Sequence, residues 1–234
     1  MSVCGAIILR KEIKKMNDAN KVVISFDLDF TLIDNKEGII NSFIYALKKF
    51  NLIEIDVIEI EKMIGTPLDE MFAKVTDLNP LLLSSAFREY YGEKGIYQVK
   101  LFLGIKKKLG EIKKAGFTLG VITSKKEEMA IKLLKYLELE NYFEFILGET
   151  KERKQGKTDP KLKELLFNKF PNYKFVIIGD HPNDKKLAEF FNCPFIGVLT
   201  GFHSKEQLKQ SSSVKTLILN NVNEITEEMI YSLF

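Results

Sequence analysis

Cysteine, histidine, arginine and tryptophan are scarce in this chain of 234 residues. The two cysteines, Cys4 and Cys193, are too few for a disulfide framework and point to a reducing compartment. The two histidines, His181 and His203, belong to no Cys/His cluster, which argues against a zinc site. No apolar run approaches the roughly 18 residues of a membrane span. Neither charge dominates: Lys+Arg 35 against Asp+Glu 32 leaves +3. That balance gives no electrostatic case for nucleic acid or for an acidic membrane surface. What is present is a globular composition, 45% hydrophobic and 29% charged, with enough length for one large domain or one domain with an insert.

Residues 1–20 read as an N-terminal appendage. The apolar piece Ala6–Leu9 comes before the basic stretch Arg10–Lys15, the reverse of a secretory signal, so a cytoplasmic location is expected. Met16 offers an alternative start. From Lys21 the pattern sharpens. Lys21–Phe26 is a short β-branched run of the kind that forms a buried parallel strand. Similar runs recur at Phe117–Ile122, Phe143–Leu147, Phe175–Ile178 and Phe195–Val198, with Thr216–Leu219 as a final edge strand. Helical patterns lie between them at Leu101–Ala115, Lys126–Leu137, Asp159–Lys169, Asp184–Phe191 and Lys205–Gln210. This alternation predicts an α/β fold: a Rossmann-like parallel sheet with helices on both faces.

Residues 35–100 break the alternation. They read as helices only, at Gly38–Phe50, Val57–Met63, Leu68–Thr76 and Leu81–Tyr91. An insert there sits over the carboxyl ends of the strands, where open α/β sheets bind ligands. We therefore expect a core of residues 21–34 and 101–234 and an all-helical cap of residues 35–100. Phe43, Phe50, Phe72 and Phe87 are expected in the cap core, and Arg88 on a solvated helix position.

Four motifs fall at strand ends. Asp27-Leu-Asp-Phe-Thr31 follows the first strand, and carboxylates two apart can share one side of an extended chain. The bland alternative is a capped strand end or a calcium-type loop. Val121-Ile-Thr-Ser124 offers hydroxyls beside the free amides of a helix start, which suits a phosphate oxygen. Those residue types are also ordinary helix caps. Gly156-Lys-Thr-Asp-Pro160 brings a lysine that can act as a point charge on phosphate, although lone lysines are usually solvated. Gly179-Asp-His-Pro-Asn-Asp184 places two carboxylates four apart, an oxygen-rich site for Mg²⁺ or simply a capped helix start.

The four motifs in this order resemble the haloacid dehalogenase-like hydrolase superfamily over about residues 21–220. The run Ile64-Gly-Thr-Pro-Leu-Asp-Glu-Met-Phe72 is similar to the small helical cap of its phosphoglycolate phosphatase-like branch. Lys125 after Ser124 and the run Leu199–Phe202 fit as well. The resemblance implies that Asp27 is a nucleophile forming an aspartyl phosphate and that Asp29 is a general acid/base. It implies that Thr123, Ser124 and Lys157 bind the phosphoryl group. It implies Mg²⁺ held by Asp27, Asp180 and Asp184, with Asp29 contributing its backbone carbonyl. The implied substrate is a small phosphorylated metabolite, with phosphoglycolate as one candidate. The dehalogenase branch lacks a carboxylate at the position of Asp29, so its presence favours phosphoryl transfer.

Departures from the pattern are Phe30 where relatives mostly carry Gly, Leu103 where they often carry Pro, and Thr158 where they often carry Pro. The Phe30 ring is expected in the cavity wall or the cap seam, and Thr31 is expected to fix the loop. His181 is expected to shape the metal loop and Cys193 to be buried packing. A phosphomutase of the same superfamily is the first alternative, and a non-catalytic binding protein on this fold the second. Against the mutase, Leu68 stands where such enzymes carry an arginine for the second phosphate.

Overall fold

The computed structural model describes residues 21–53, 55–210 and 212–234, so the appendage with Cys4 and Met16 lies outside the described residues. Six strands form one parallel sheet: β1 (Val22–Phe26), β4 (Thr118–Lys126), β5 (Phe145–Glu149), β6 (Lys174–Gly179), β7 (Phe195–Val198) and β8 (Thr216–Leu219). Their order across the sheet is β5-β4-β1-β6-β7-β8. In chain order of those six strands this is 3-2-1-4-5-6, the doubly wound arrangement, and the direction of winding switches at β1.

Side chains alternate between the two faces as the strand period requires. On β1, Val22, Ile24 and Phe26 enter one apolar cluster and Val23 the other. The first cluster is completed by Leu109, Leu133 and Ile230, the second by Leu166, Leu187 and Phe191. Each cluster lies under its own layer of helices, so both faces of the sheet are dry. All six runs form parallel strands, and Thr216–Leu219 lies at the edge of the sheet, as expected.

The insert forms four helices: α1 (Lys36–Lys49), α2 (Val57–Met63), α3 (Leu68–Ala73) and α4 (Pro80–Glu93). They enclose a third apolar cluster with Phe43, Leu47, Phe72, Leu83 and Phe87, in which the Phe43 and Phe72 rings stack 4.2 Å apart. Phe50 packs against it, and Arg88 is exposed. At the two ends of the insert, β2 (Ile33–Asp34) pairs antiparallel with β3 (Lys100–Leu101).

Several boundaries differ from expectation. The helix expected from Leu101 begins at Ile105, because Leu101 belongs to the ribbon and Gly104 has a left-handed φ of 82° at the helix start. The strand expected over Phe117–Ile122 continues to Lys126, so Thr123 and Ser124 lie in extended chain and the next helix starts only at Glu127. The strand expected from Phe143 starts at Phe145, after a 3₁₀ turn at Glu140–Tyr142. The helix Glu227–Ser232 was not expected.

Candidate active site

The fully buried first strand delivers its chain rigidly to the site. Pairing with the neighbouring strand continues past its end, where the Asp27 N–H donates to the Ile178 carbonyl at 2.8 Å. The chain then turns back on itself. The Leu28 carbonyl accepts from Leu32 and Ile33 N–H, and Phe30 N–H donates to the Ile33 carbonyl. Phe30 closes that turn at φ 56°, a left-handed conformation that costs a non-glycine residue about 1–2 kcal/mol. Its carbonyl accepts from Thr200 Oγ1 at 2.5 Å. Its ring meets Phe202 edge-on at 4.9 Å and packs against the apolar cluster of the insert. The expected place for this ring, at the seam, is where it lies.

Asp27 faces charge from the neighbouring strand ends. Lys157, on the 3₁₀ turn Gly156–Thr158, is buried with its Nζ 2.7 Å from Asp27 Oδ1 and 2.5 Å from Asp184 Oδ1. Asp180 ends β6, and Thr31 Oγ1 donates to its Oδ1 at 3.0 Å, so Thr31 does tie the loop down. Asp184 sits in the first turn of the helix Pro182–Phe191, where its Oδ2 accepts from the His181 N–H. It therefore caps the helix and faces the site at once. Carboxylate oxygens of Asp27, Asp180 and Asp184 lie within 4.8 Å of one another. Two glycines make the crowding possible: a Cβ on Gly179 would stand 2.2 Å from the Asp184 carboxylate, and one on Gly201 would stand 1.9 Å from Asp180 Oδ2.

Burial, with Asp27 and Asp184 alongside, raises the Asp180 pKa well above the carboxylate range. Burial also raises that of Asp184, although Lys157 opposes it. For Lys157 itself burial works the other way, but the carboxylates of Asp184 and Asp27 more than offset it and hold the ammonium charged. Three carboxylates against one ammonium leave an anionic, oxygen-lined site, which is the chemistry a hard divalent cation seeks.

Asp29 stands apart from that cluster. Its Oδ1 accepts from Asn35 Nδ2 at 3.0 Å and its Oδ2 lies 3.1 Å from Lys125 Nζ. Burial raises its pKa, and Lys125 works against the rise. Asn35 and Tyr91 escaped the sequence reading, and Lys125 was noted there without a role. Tyr91 lies 56 residues from Asn35 and 34 from Lys125, and no local pattern joins them.

A cavity of about 420 Å³ opens over these groups. Asp27, Asp29, Thr123, Ser124, Lys157 and Asp180 line its floor, while Asp184 lies behind Lys157. Thr123 is buried and Ser124 exposed, and the Thr123 hydroxyl accepts from the Lys125 N–H at 3.3 Å. Phe30, Thr66, Pro67, Phe202 and His203 form the opposite wall. His181 accepts from Asn183 N–H through Nδ1 and so caps the helix Pro182–Phe191. Burial, with His203 beside it, lowers its pKa to about 4, and burial lowers that of His203 too, so both rings are neutral at pH 7. Cys193 is buried away from the cavity, and burial pushes its thiol up to about 12.

The sequence profile of haloacid dehalogenase-like hydrolases matches residues 24–198. The chain belongs to that family. A phosphoglycolate phosphatase from Aquifex aeolicus is 34% identical over 88% of this chain and 96% of its own length. A putative pyrophosphatase PpaX from Caldanaerobacter subterraneus is 32% identical over 69% of this chain and 74% of its own. Among solved structures, a haloacid dehalogenase-like family hydrolase from Streptococcus pneumoniae superposes with a TM-score of 0.77 at 26% identity, covering 91% of this chain and 99% of that one. This haloacid dehalogenase-like hydrolase is a phosphatase, a phosphoric monoester hydrolase. Among its described residues no helix is long and apolar enough to cross a membrane.

Proposed function

We propose that the protein is a Mg²⁺-dependent phosphatase of small phosphorylated metabolites, working through an aspartyl phosphate on Asp27. The observation that carries this reading is the buried meeting of Asp27, Lys157, Asp180 and Asp184 beneath the cavity. Magnesium suits this donor set, which is all hard oxygen. Asp27, Asp180 and Asp184 would hold the ion, with the Asp29 carbonyl as a further ligand. Bound there, it would offset the repulsion between a carboxylate and a phosphate dianion.

The residues divide the work. Lys157, Thr123 and Ser124 orient the phosphoryl group, and the ammonium stabilises charge on its oxygens. Asp27 forms a bond to phosphorus as the ester P–O bond breaks. Asp29 gives its proton to the leaving oxygen. It then takes a proton from the water that attacks the aspartyl phosphate, freeing Asp27 and phosphate. We further propose that residues 35–100 move as a cap about the β2–β3 ribbon, over a core of residues 21–34 and 101–234, admitting substrate and releasing product.

The leaving group is best read as uncharged. Among the described residues Lys157 is the only lysine or arginine lining the cavity, whose other walls carry Phe30, Phe202, Thr66, Pro67, Asn183 and the two neutral histidines. Phosphoglycolate, which the Aquifex relative is named for, would bring a carboxylate to that wall unpaired. The same lack disfavours a mutase. Leu68 is no cation, Arg88 is exposed, and Arg153 is buried against Glu127. Phosphate release from a panel of phosphorylated metabolites, with chelator and with Mg²⁺, tests the reading. Activity should vanish with chelator and return with Mg²⁺, and Asp180→Ala should need at least about 10-fold more metal. Full turnover in excess chelator, or isomerised sugar phosphate outpacing free phosphate, would sink it.

A further inference from the structure

One hydroxyl holds both donors that hold Asp29. Tyr91 OH accepts from Asn35 Nδ2 at 3.2 Å and from Lys125 Nζ at 2.8 Å. Those same nitrogens contact Asp29 Oδ1 and Oδ2 respectively. The Asn35 amide is fixed in this orientation, since turning it over would set its oxygen against the carboxylate. It keeps the orientation although its Oδ1 is thereby buried without a partner. Tyr91 belongs to the cap helix and packs against both the cap cluster and the first core cluster. It lies near the end of α4, its ring stacked on Phe87 at 5.7 Å, and Leu83, Ala86 and Phe87 of that helix are buried in the cap cluster. Asp29 follows the core strand β1, and Lys125 lies in the core strand β4.

We propose that Tyr91 is a positioning residue that makes the placement of Asp29 depend on the cap. With α4 seated, its hydroxyl collects Asn35 and Lys125 and they hold both oxygens of Asp29. With α4 withdrawn, both donors lose their common acceptor and the carboxyl is released. The proton donor is thus assembled only under the closed cap, while Asp27 and Lys157 stay in place on the core.

This inference rests on the phosphatase reading with Asp29 as the acid, and the test separates the two. In the first half-reaction the P–O bond breaks and its electron pair goes to the leaving oxygen. An alkoxide needs the Asp29 proton, whereas 4-nitrophenolate leaves without one. The measurement is kcat/KM for ethyl phosphate and for 4-nitrophenyl phosphate in wild type, Asp29→Asn, Tyr91→Phe and Lys125→Met. Tyr91→Phe keeps the ring stack and loses only the hydroxyl. It should lower kcat/KM for the ethyl ester about 10- to 100-fold and for the aryl ester less than about 3-fold. Lys125→Met, which takes away one of the two donors, should show the same split, so poor folding of one variant does not spoil the test. Equal losses on both esters, or no loss on either, would overturn the tether and leave the phosphatase standing. A wild-type enzyme inactive on both esters would overturn the phosphatase reading, and the tether with it. Asp29→Asn with no split between the esters would remove Asp29 as the acid and the tether with it.

Discussion

The two carboxylates of the Asp27–Thr31 loop, both at the floor of the cavity, are held by different means. Asp27 is held from the core alone: a backbone bond to the next strand, Lys157 at 2.7 Å, and the acidic pair beyond. Asp29, two residues later, is held by a network whose central hydroxyl belongs to the cap. The floor is dense with charge and the roof is built on stacked phenylalanines. A nucleophile must be ready whenever phosphate arrives. In the proposed reaction the proton donor is useful only once water is excluded, which matches a support that comes from the cap.

The sharpest way to break this contrast is at the floor. Asp27→Asn keeps the shape of the side chain and the neutral amide cannot attack phosphorus. Turnover should fall by at least about 10³-fold with the fold intact by circular dichroism. Retention of more than a few per cent of wild-type turnover would rule out covalent catalysis by Asp27. No choice of ester should rescue this variant, because the lost group acts before the leaving group matters.

The two halves were also unequally legible in the sequence. The floor could be read because its residues sit at or just past the ends of β-branched runs in the sequence: Asp27 after Phe26, Thr123 after Ile122, Asp180 after Gly179. Lys157 carried the weakest signal, since a lysine before a helix is usually solvated, and only its burial between Asp27 and Asp184 distinguishes it. The roof could not be read in this way. Tyr91 reaches Lys125 across 34 residues and Asn35 across 56, and a tyrosine on an amphipathic helix reads as packing. The β2–β3 ribbon escaped for a simpler reason: strands of two residues have no period to detect. The overrun of β4 through Thr123 and Ser124 escaped because hydroxyl residues after a strand look like helix caps.

A smaller effect is expected from the roof. Phe72 is fully buried and its ring lies 4.2 Å from Phe43. Phe72→Ala should cost about 3–5 kcal/mol of cap packing. If residues 35–100 form a unit of their own, denaturation monitored by cap probes should shift to lower denaturant than denaturation monitored by core probes. Coincident transitions for both sets of probes would mean that cap and core unfold as one body.

The smallest effect expected is a pH dependence of stability that the metal should reverse, and its sign follows from the floor. Burial raises the pKa values of Asp180 and Asp184 in the folded protein, Asp184 to about 7, from an ordinary value of 3.8. Between those limits the folded state therefore holds more protons than the unfolded state, so stability falls as pH rises. For Asp184 the contribution is whole below about pH 4, where both states are protonated, and is lost by about pH 7. Metal-free protein should accordingly melt a few degrees (~3–5 °C) lower at pH 7.5 than at pH 5. Magnesium binds the deprotonated carboxylates, so it should raise Tm at pH 7.5 and do little at pH 5. The counterpart is Asp180→Asn, which removes one of the titrating groups and should flatten the slope. A metal-free Tm that climbs between pH 5 and 7.5, with Mg²⁺ acting equally at both, would show that the acidic cluster is neither strained when charged nor the seat of the metal.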